Sequence, residues 1–275
     1  LKTRDSHATL QSMNGGYTYI FAKLRDRDLR DEGIFVAEGR FLVERLMVSG
    51  LDAIAVLCSG RMAEEFTRLA DGRCPLIVLD EDEIARIAGF DFHRGVMAAG
   101  KRPRILGIDQ FLADHATAKR MVICAGVGTD YNLGGIMRSA AAFGYDAVAI
   151  SAGGADPWSR RSLRASMGAP FFLPVPVIEN ADIDLALLRE RGFSVCATVL
   201  SDGALPLHRS RVRGSHALVF GGEADGLEDA WRKRCDIELT IPLTRMDSLN
   251  VGVAAGIFMY HMTLITGDGS QAPGE

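Results

Sequence analysis

Between residues 121 and 240 the chain repeats one pattern: a short apolar run, a turn, and a stretch long enough for a helix. The runs are Met121–Ala125, Ala147–Ile150, Phe193–Thr198, Ala217–Phe220 and Ile237–Thr240. Short runs of this kind suit strands buried on both faces. Strands separated by helices predict an α/β domain built on a mostly parallel sheet with helices on both faces. A smaller alternation precedes it. Helices are expected at Lys23–Arg30, Arg40–Val48, Met62–Leu69 and Asp82–Ile87, with strands at Ile34–Ala37, Ala53–Leu57, Leu76–Leu79 and Gly95–Ala99. That pattern describes a small α/β module.

A chain of 275 residues is long enough for two such domains. Charge and a proline in Lys101-Arg102-Pro103-Arg104 interrupt the pattern. The expected division is a flexible tail over 1–18, a substrate-binding domain over 19–104, a linker with a short helix over 105–120, a catalytic domain over 121–266 and a disordered tail over 267–275.

Composition excludes several classes. Hydrophobic residues make up 48% of the chain and charged residues 24%, and no apolar run reaches the roughly 18 residues of a membrane span. A net charge of −4 argues against a chain that coats nucleic acid non-specifically, while leaving room for a local basic face. The five cysteines are scattered, odd in number and without C-x-x-C spacing. A reduced, cytoplasmic setting and no structural zinc are the simplest reading. Lys2, Arg4 and Asp5 stand where a secretory signal would begin, and the apolar core of such a signal is lacking.

In open parallel sheets ligands bind beyond the carboxyl ends of the strands, which directs attention to the loops there. The loop after Met121–Ala125 runs from Gly128 through Asn132 to Arg138. Asn132 suits a helix N-cap, and Arg138 lies six residues on, almost two turns deeper. In isolation this is equally a capped helix with a surface arginine. After Ala217–Phe220 comes Gly221-Gly222-Glu223-Ala224-Asp225-Gly226-Leu227, where glycines permit close backbone approach and Glu223 offers a carboxylate. It lacks the lysine and glycine order of a phosphate loop. The third loop spans Ile241 to Gly256. Its Ser248 can cap a helix on which Leu249, Val253, Ile257, Tyr260 and Leu264 form one apolar stripe.

Taken in order, these loops resemble the three signature motifs of the SpoU/TrmH family of RNA ribose methyltransferases, within the SPOUT superfamily. The matching segments are Asn132 to Arg138 with Ala142-Phe143-Gly144, Gly221 to Leu227, and Ile241-Pro242 with Ser248-Leu249-Asn250-Val251. Phe35-Val36-Ala37-Glu38-Gly39 and His93-Arg94-Gly95-Val96 resemble the two ends of the family's accessory domain, which is similar to small RNA-binding ribosomal proteins. Two departures stand out. Ala224 occupies a position where glycine is common, and Leu243–Asp247 is about one residue shorter than usual.

The resemblance implies a deep trefoil knot in the C-terminal domain, S-adenosylmethionine as cofactor, and methylation of a ribose 2′-hydroxyl in structured RNA, ribosomal RNA ahead of transfer RNA. It further implies a homodimer with the pocket near its interface. By position, Gly221, Ile241 and Leu249 hold the cofactor, while Arg138, Asn132, Glu223, Ser248 and Asn250 form the catalytic group. A guanidinium stays protonated to about pH 12, so Arg138 is expected to bind the phosphate beside the target ribose, with a phosphate oxygen or water taking the proton. The other four are expected to fix Arg138 and the ribose by hydrogen bonds.

RNA contact is expected at Arg160, Arg161 and Arg164, ahead of the Arg209, Arg211 and Arg213 series and of Lys101, Arg102 and Arg104. Two rival readings are an RNA-binding protein that kept the fold without the activity and a nucleotide-dependent oxidoreductase. Retention of the whole catalytic group speaks against the first, and the lack of a dinucleotide fingerprint speaks against the second.

Overall fold

All five residues of the strand Ile34–Glu38 are buried, as expected of a strand covered on both sides. The computed structural model describes residues 17–22, 26–89 and 94–265. They form two compact units: residues up to Arg104 together with Trp158–Phe172, and Ile105–Pro157 together with Leu173 onward. Expectations for 1–16, for the start of the helix at Lys23, for His93 and for the last ten residues lie outside the described residues.

The first unit contains α1 (Thr18–Phe21), α2 (Asp26–Asp31), β1 (Ile34–Glu38), α3 (Arg40–Val48), β2 (Ala53–Ser59), α4 (Ala63–Ala70), β3 (Leu76–Leu79), α5 (Glu81–Ala88) and β4 (Val96–Lys101). Its sheet has the order β1-β4-β2-β3. β4 runs antiparallel to both β1 and β2, and β3 runs parallel to β2. Side chains alternate across a strand, so β1 divides between two cores. Phe35 and Ala37 join Leu42, Val43 and Phe66 on one face, while Ile34 and Val36 join Phe21, Leu29 and Ile84 on the other.

The second unit begins with α6 (Ile108–Asp114), β5 (Arg120–Ala125), α7 (Asp130–Ala142) and β6 (Ala147–Ser151). The chain then enters the segment Trp158–Phe172, carrying α8 (Arg160–Ala165), which belongs to the first unit. On return it forms β7 (Val177–Ile178), α9 (Ala181–Glu190), β8 (Ser194–Thr198), β9 (Leu205–Pro206), β10 (His216–Gly221), α10 (Asp229–Arg232), β11 (Ile237–Thr240) and α11 (Val251–Ile265). The sheet order is β7-β6-β5-β10-β8-β11-β9, and every pairing is parallel. One face packs Ala217 and Val219 against α6 and α9 through Phe111, Leu185 and Leu188. On the other face Phe220 meets Phe258 of α11 edge-on, with ring centroids 5.7 Å apart.

Two stretches differ from the expected division. The supposed linker over 105–120 carries α6, whose Ile108, Phe111 and Leu112 are buried in the second unit's core. Apolar anchors of that size make it part of the fold. The segment Trp158–Phe172, expected within the catalytic domain, packs into the first unit because its own apolar residues do. Leu163 and Phe171 are buried there, and the Trp158 ring lies 5.0 Å from that of Phe35.

The three arginines expected to meet RNA all lie in this segment, and two of them face a buried carboxylate. Glu38 has a side chain only 6% exposed and is held by Arg160 at 3.2 Å and Arg164 at 2.5 Å. Arg160 also pairs with Asp26 at 3.2 Å. Removing one partner of a buried pair leaves an uncompensated charge, so these arginines have a structural role. Arg161 is exposed.

Candidate active site

Strand adjacency assembles the site. β5 and β10 are parallel neighbours with Gly221 opposite Ala125, so the loops that follow them start side by side. Gly221 and Gly222 are needed there, but for the chain's own backbone rather than for a ligand's approach. A Cβ on Gly221 would stand 2.0 Å from the Gly226 oxygen, and one on Gly222 would stand 2.7 Å from the Gly126 oxygen. Gly222 and Gly226 bridge to each other, which folds the loop back and turns Glu223 toward the start of α7.

Glu223 is the end of a hydrogen-bonded relay. Its Oε1 accepts from Thr129 Oγ1 at 2.7 Å and from Asn132 Nδ2 at 2.6 Å. Its Oε2 accepts from the Gly128 N–H at 3.0 Å. Asn132 Oδ1 accepts from Asn250 Nδ2 at 2.9 Å, and Asn250 Oδ1 accepts from the N–H groups of Gly252 and Val253 at 2.9 and 3.3 Å. The direction of the relay is unambiguous. A carboxylate only accepts and a backbone N–H only donates, so both amide orientations between them are dictated. Among the described residues each amide still has an unused N–H, and Asn132 also has an unused lone pair.

The caps differ from expectation by a few residues. Thr129, not Asn132, is the N-cap of α7, which frees the buried Asn132 side chain for the relay. Asn250, not Ser248, closes the first turn of α11. Thr129 was legible in principle, since a threonine before an acidic residue at a helix start is an ordinary cap signal.

Burial raises the Glu223 pKa, but hydrogen bonds from Asn132, Thr129 and Gly128 outweigh it and bring the value from 4.5 down to about 2. A depressed folded value means that the relay's contribution to stability is complete above pH 4.5 and is lost as pH falls through about 2. Carboxyl-resolved NMR titration is expected to show Glu223 still ionised at about pH 4, where ordinary glutamates are half protonated. A midpoint near 4.5 would contradict the relay.

The same loops bound a cavity of about 570 Å³, within the usual range for small-molecule sites. Its wall combines apolar residues such as Phe220, Leu227 and Phe258 with the glycine-rich run Gly221 to Gly226. Gly221, Ile241 and Leu249, the expected cofactor residues, all line it, as do Glu223, Ser248 and Asn250. Asn132 stands behind this wall through its bond to Asn250. Thr198–Leu200 and Arg232 also line the cavity and were not singled out from the sequence. Ala224, which departs from the family pattern, and Leu243, the first residue of the shortened segment Leu243–Asp247, also line it.

Arg138 stands apart from this relay. It lies on α7, about 9 Å further along the helix axis than Asn132 and on a different side. Its side chain is exposed and bonds to none of the four residues expected to fix it.

An all-parallel sheet with a cavity and a polar relay at its carboxyl edge defines an α/β ligand-binding domain of the enzyme type. Residues 119–260 match the SpoU rRNA methylase family. A Mycobacterium tuberculosis protein described as an uncharacterized tRNA/rRNA methyltransferase is 34% identical over 84% of this chain and 81% of its own. A Bacillus subtilis 23S rRNA guanosine 2′-O-methyltransferase is 36% identical over 54% of this chain and 59% of its own. In fold, the chain is similar to an AdoMet-bound rRNA methyltransferase from Sinorhizobium meliloti, with TM-score 0.78, 24% identity, and 91% and 95% of the two chains covered. The chain belongs to the SpoU methylase family and is a methyltransferase.

Proposed function

We propose that the protein transfers a methyl group from S-adenosylmethionine to a ribose 2′-hydroxyl of structured RNA, with ribosomal RNA the favoured substrate. The observation that carries this reading is the convergence of Gly221, Ile241, Leu249, Ser248 and the Glu223–Asn132–Asn250 relay on one cavity. The cavity suits a donor with a flat base and a polar tail, because its wall is part apolar and part polar. When bound, S-adenosylmethionine supplies a methyl group on a sulfonium that is already electrophilic. Relatives named as 23S rRNA 2′-O-methyltransferases support ribosomal RNA, while the mycobacterial relatives are named for both RNAs.

The chain's residues then have to orient the hydroxyl and help its proton leave. Glu223, ionised to about pH 2, is too weak a base for that task near neutrality. Its role is to position Asn132 and the loop at Gly128. The unused N–H groups of Asn132 and Asn250 are donors for substrate or donor oxygens. Arg138 holds the phosphate next to the target ribose, and a phosphate oxygen or water accepts the proton.

A homodimer belongs to the same reading. The stripe Val253, Ile257, Tyr260 and Leu264 is outward on α11, with exposures of 53%, 41%, 54% and 58%. An apolar stripe of this kind marks an interaction surface. α7 packs beside α11, with the Phe143 and Tyr260 rings 5.9 Å apart, so a second copy seated on the stripe would stand close to Arg138. No helix among the described residues is long and apolar enough to cross a membrane, and a cytoplasmic setting is part of the proposal.

The test is incubation of the purified protein and radiolabelled S-adenosylmethionine with ribosomal and transfer RNA from a strain lacking the gene, followed by mapping of 2′-O-methyl sites. Label on one ribosomal nucleotide is expected. Label on transfer RNA alone would overturn the substrate preference, and label on neither would overturn the activity. Sedimentation of the same sample reads the dimer.

A further inference from the structure

We propose that Arg209, Arg211 and Arg213 form a second RNA-binding element, a row of guanidiniums that tracks the phosphates of the strand flanking the target nucleotide. This rests on the reading of RNA as substrate. The three residues lie on the connection between β9 and β10. That connection starts at the carboxyl edge of the sheet, where Pro206 pairs with Thr240 immediately before the site loop at Ile241. It ends at the opposite edge, where His216 pairs with Arg120 and Ser194 at the start of their strands. The row therefore leads from the edge that carries the active site down the flank of the second unit.

Its side chains are sorted by a two-residue period. Ser210 is fully buried and Val212 is half-buried, whereas Arg209, Arg211 and Arg213 are exposed. Arg209 closes the short turn Leu207–Arg209, and at Ser210 the backbone opens to φ −57° and ψ 142°. Beyond the turn the chain advances about 3.1–3.4 Å per residue, so Arg211 and Arg213 are spaced about 6–7 Å apart, a step comparable to that between neighbouring phosphates of a nucleic acid strand.

The segment is also held in place. Ser210 N donates to Leu207 O at 3.0 Å, Ser210 Oγ accepts from Val212 N at 3.4 Å, and the turn of Leu207–Arg209 packs on α11. At the other end His216, fully buried, lies 3.2 Å from the Gly214 carbonyl through Nδ1 and 3.0 Å from the Tyr145 hydroxyl through Nε2. Two buried anchors bracket the row, so its guanidiniums are presented on a fixed track.

Charge completes the case. Three other arginines of this unit are neutralised by carboxylates: Arg189 by Asp236, Arg232 by Glu238 and Arg234 by Asp182. Among the described residues none of the three in the row has a carboxylate partner, and Arg211 donates only to the carbonyl of Ser210 at 3.1 Å. In a chain of net charge −4, three unpaired cations within five residues are a local excess that suits a polyanion.

The experiment compares wild type, a triple variant with Arg209→Ala, Arg211→Ala and Arg213→Ala, and the same triple with Lys. Binding to purified ribosomal RNA is measured across a salt series, and binding of S-adenosylhomocysteine by calorimetry. The Ala triple is expected to lose about 2 units from the slope of log affinity against log salt, at about 0.7 per phosphate contact. At about 0.15 M salt its affinity should fall at least about tenfold, with S-adenosylhomocysteine binding unchanged. The Lys triple should keep most of the slope, because a point charge suffices for a phosphate. A wild-type slope in the Ala triple overturns the proposal. So does a Lys triple as impaired as the Ala triple, since charge would then not be what the row supplies. Wild-type protein that binds S-adenosylhomocysteine but no RNA would instead overturn the RNA reading itself.

Discussion

Arg138→Ala is expected to lower the rate of methyl transfer by about 10²–10³-fold, the usual cost of removing one group that stabilises developing charge. Binding of S-adenosylhomocysteine should stay at its wild-type value. Both parts follow from where the residue sits. Arg138 is exposed on α7 and takes no part in the relay, so its removal leaves the cavity wall intact. Alanine is also a better helix former than arginine, which keeps the helix stable. Arg138→Lys retains the charge but loses the planar fork, and it should recover only part of the rate if a phosphate is gripped bidentately. Single-turnover kinetics on the mapped RNA, with calorimetry alongside, read the two quantities separately. Near-normal turnover in Arg138→Ala would remove this residue from the chemistry.

Gly221→Ala should have the largest effect on stability. Its Cβ would stand 2.0 Å from Gly226 O, 2.1 Å from Gly226 C and 2.2 Å from Leu227 N. These are backbone atoms, which cannot rotate away as a side chain could. To admit the methyl group, the loop from Gly222 to Gly226 must move, carrying Glu223 away from Gly128, Thr129 and Asn132. A loss of about 3 kcal/mol or more is expected, at the upper end of overpacking costs, along with loss of S-adenosylhomocysteine binding. Urea unfolding and calorimetry measure these. Gly135→Ala is the internal control. It lies in α7, where a new Cβ meets nothing within 4 Å, and should be neutral or stabilise by about 0.5–1 kcal/mol. Equal damage from both substitutions would show that crowding is not the cause.

Much of this site could be read along the chain because each part lies within a short segment at a strand end. Gly221, Glu223, Ile241, Ser248, Leu249 and Asn250 all reach the cavity wall, as expected from loops that follow parallel strands. The caps were misplaced by two or three residues, since Thr129 and Asn132, like Ser248 and Asn250, are all good cap formers. The choice between them is made by a partner: Asn132 is drawn to Glu223, 91 residues away. Arg160 and Arg164 illustrate a different limit. A basic cluster in a sequence looks the same whether it awaits a phosphate or is paired, and the buried Glu38 that holds these two is more than 120 residues distant.

The periodicity of α11 shows how the division falls. From sequence alone, Leu249, Val253, Ile257, Tyr260 and Leu264 form a stripe that could equally face a core. In the structure the buried residues are Ala255, Phe258, Met259 and Met262, Leu249 lines the cavity, and Val253, Ile257, Tyr260 and Leu264 are outward. A helix apolar all round carries no phase information, so only its packing on β10 and α7 chooses the inner face. What the chain determines locally is therefore the existence of the strands, the helices and the three loops, because period, propensity and turn chemistry act between near neighbours. The tertiary structure decided which helix face is free, which arginines are spent on carboxylates, and the direction of the relay from Asn250 through Asn132 to Glu223. The relay depends on β10 inserting beside β5, a pairing between segments 96 residues apart that no local pattern encodes.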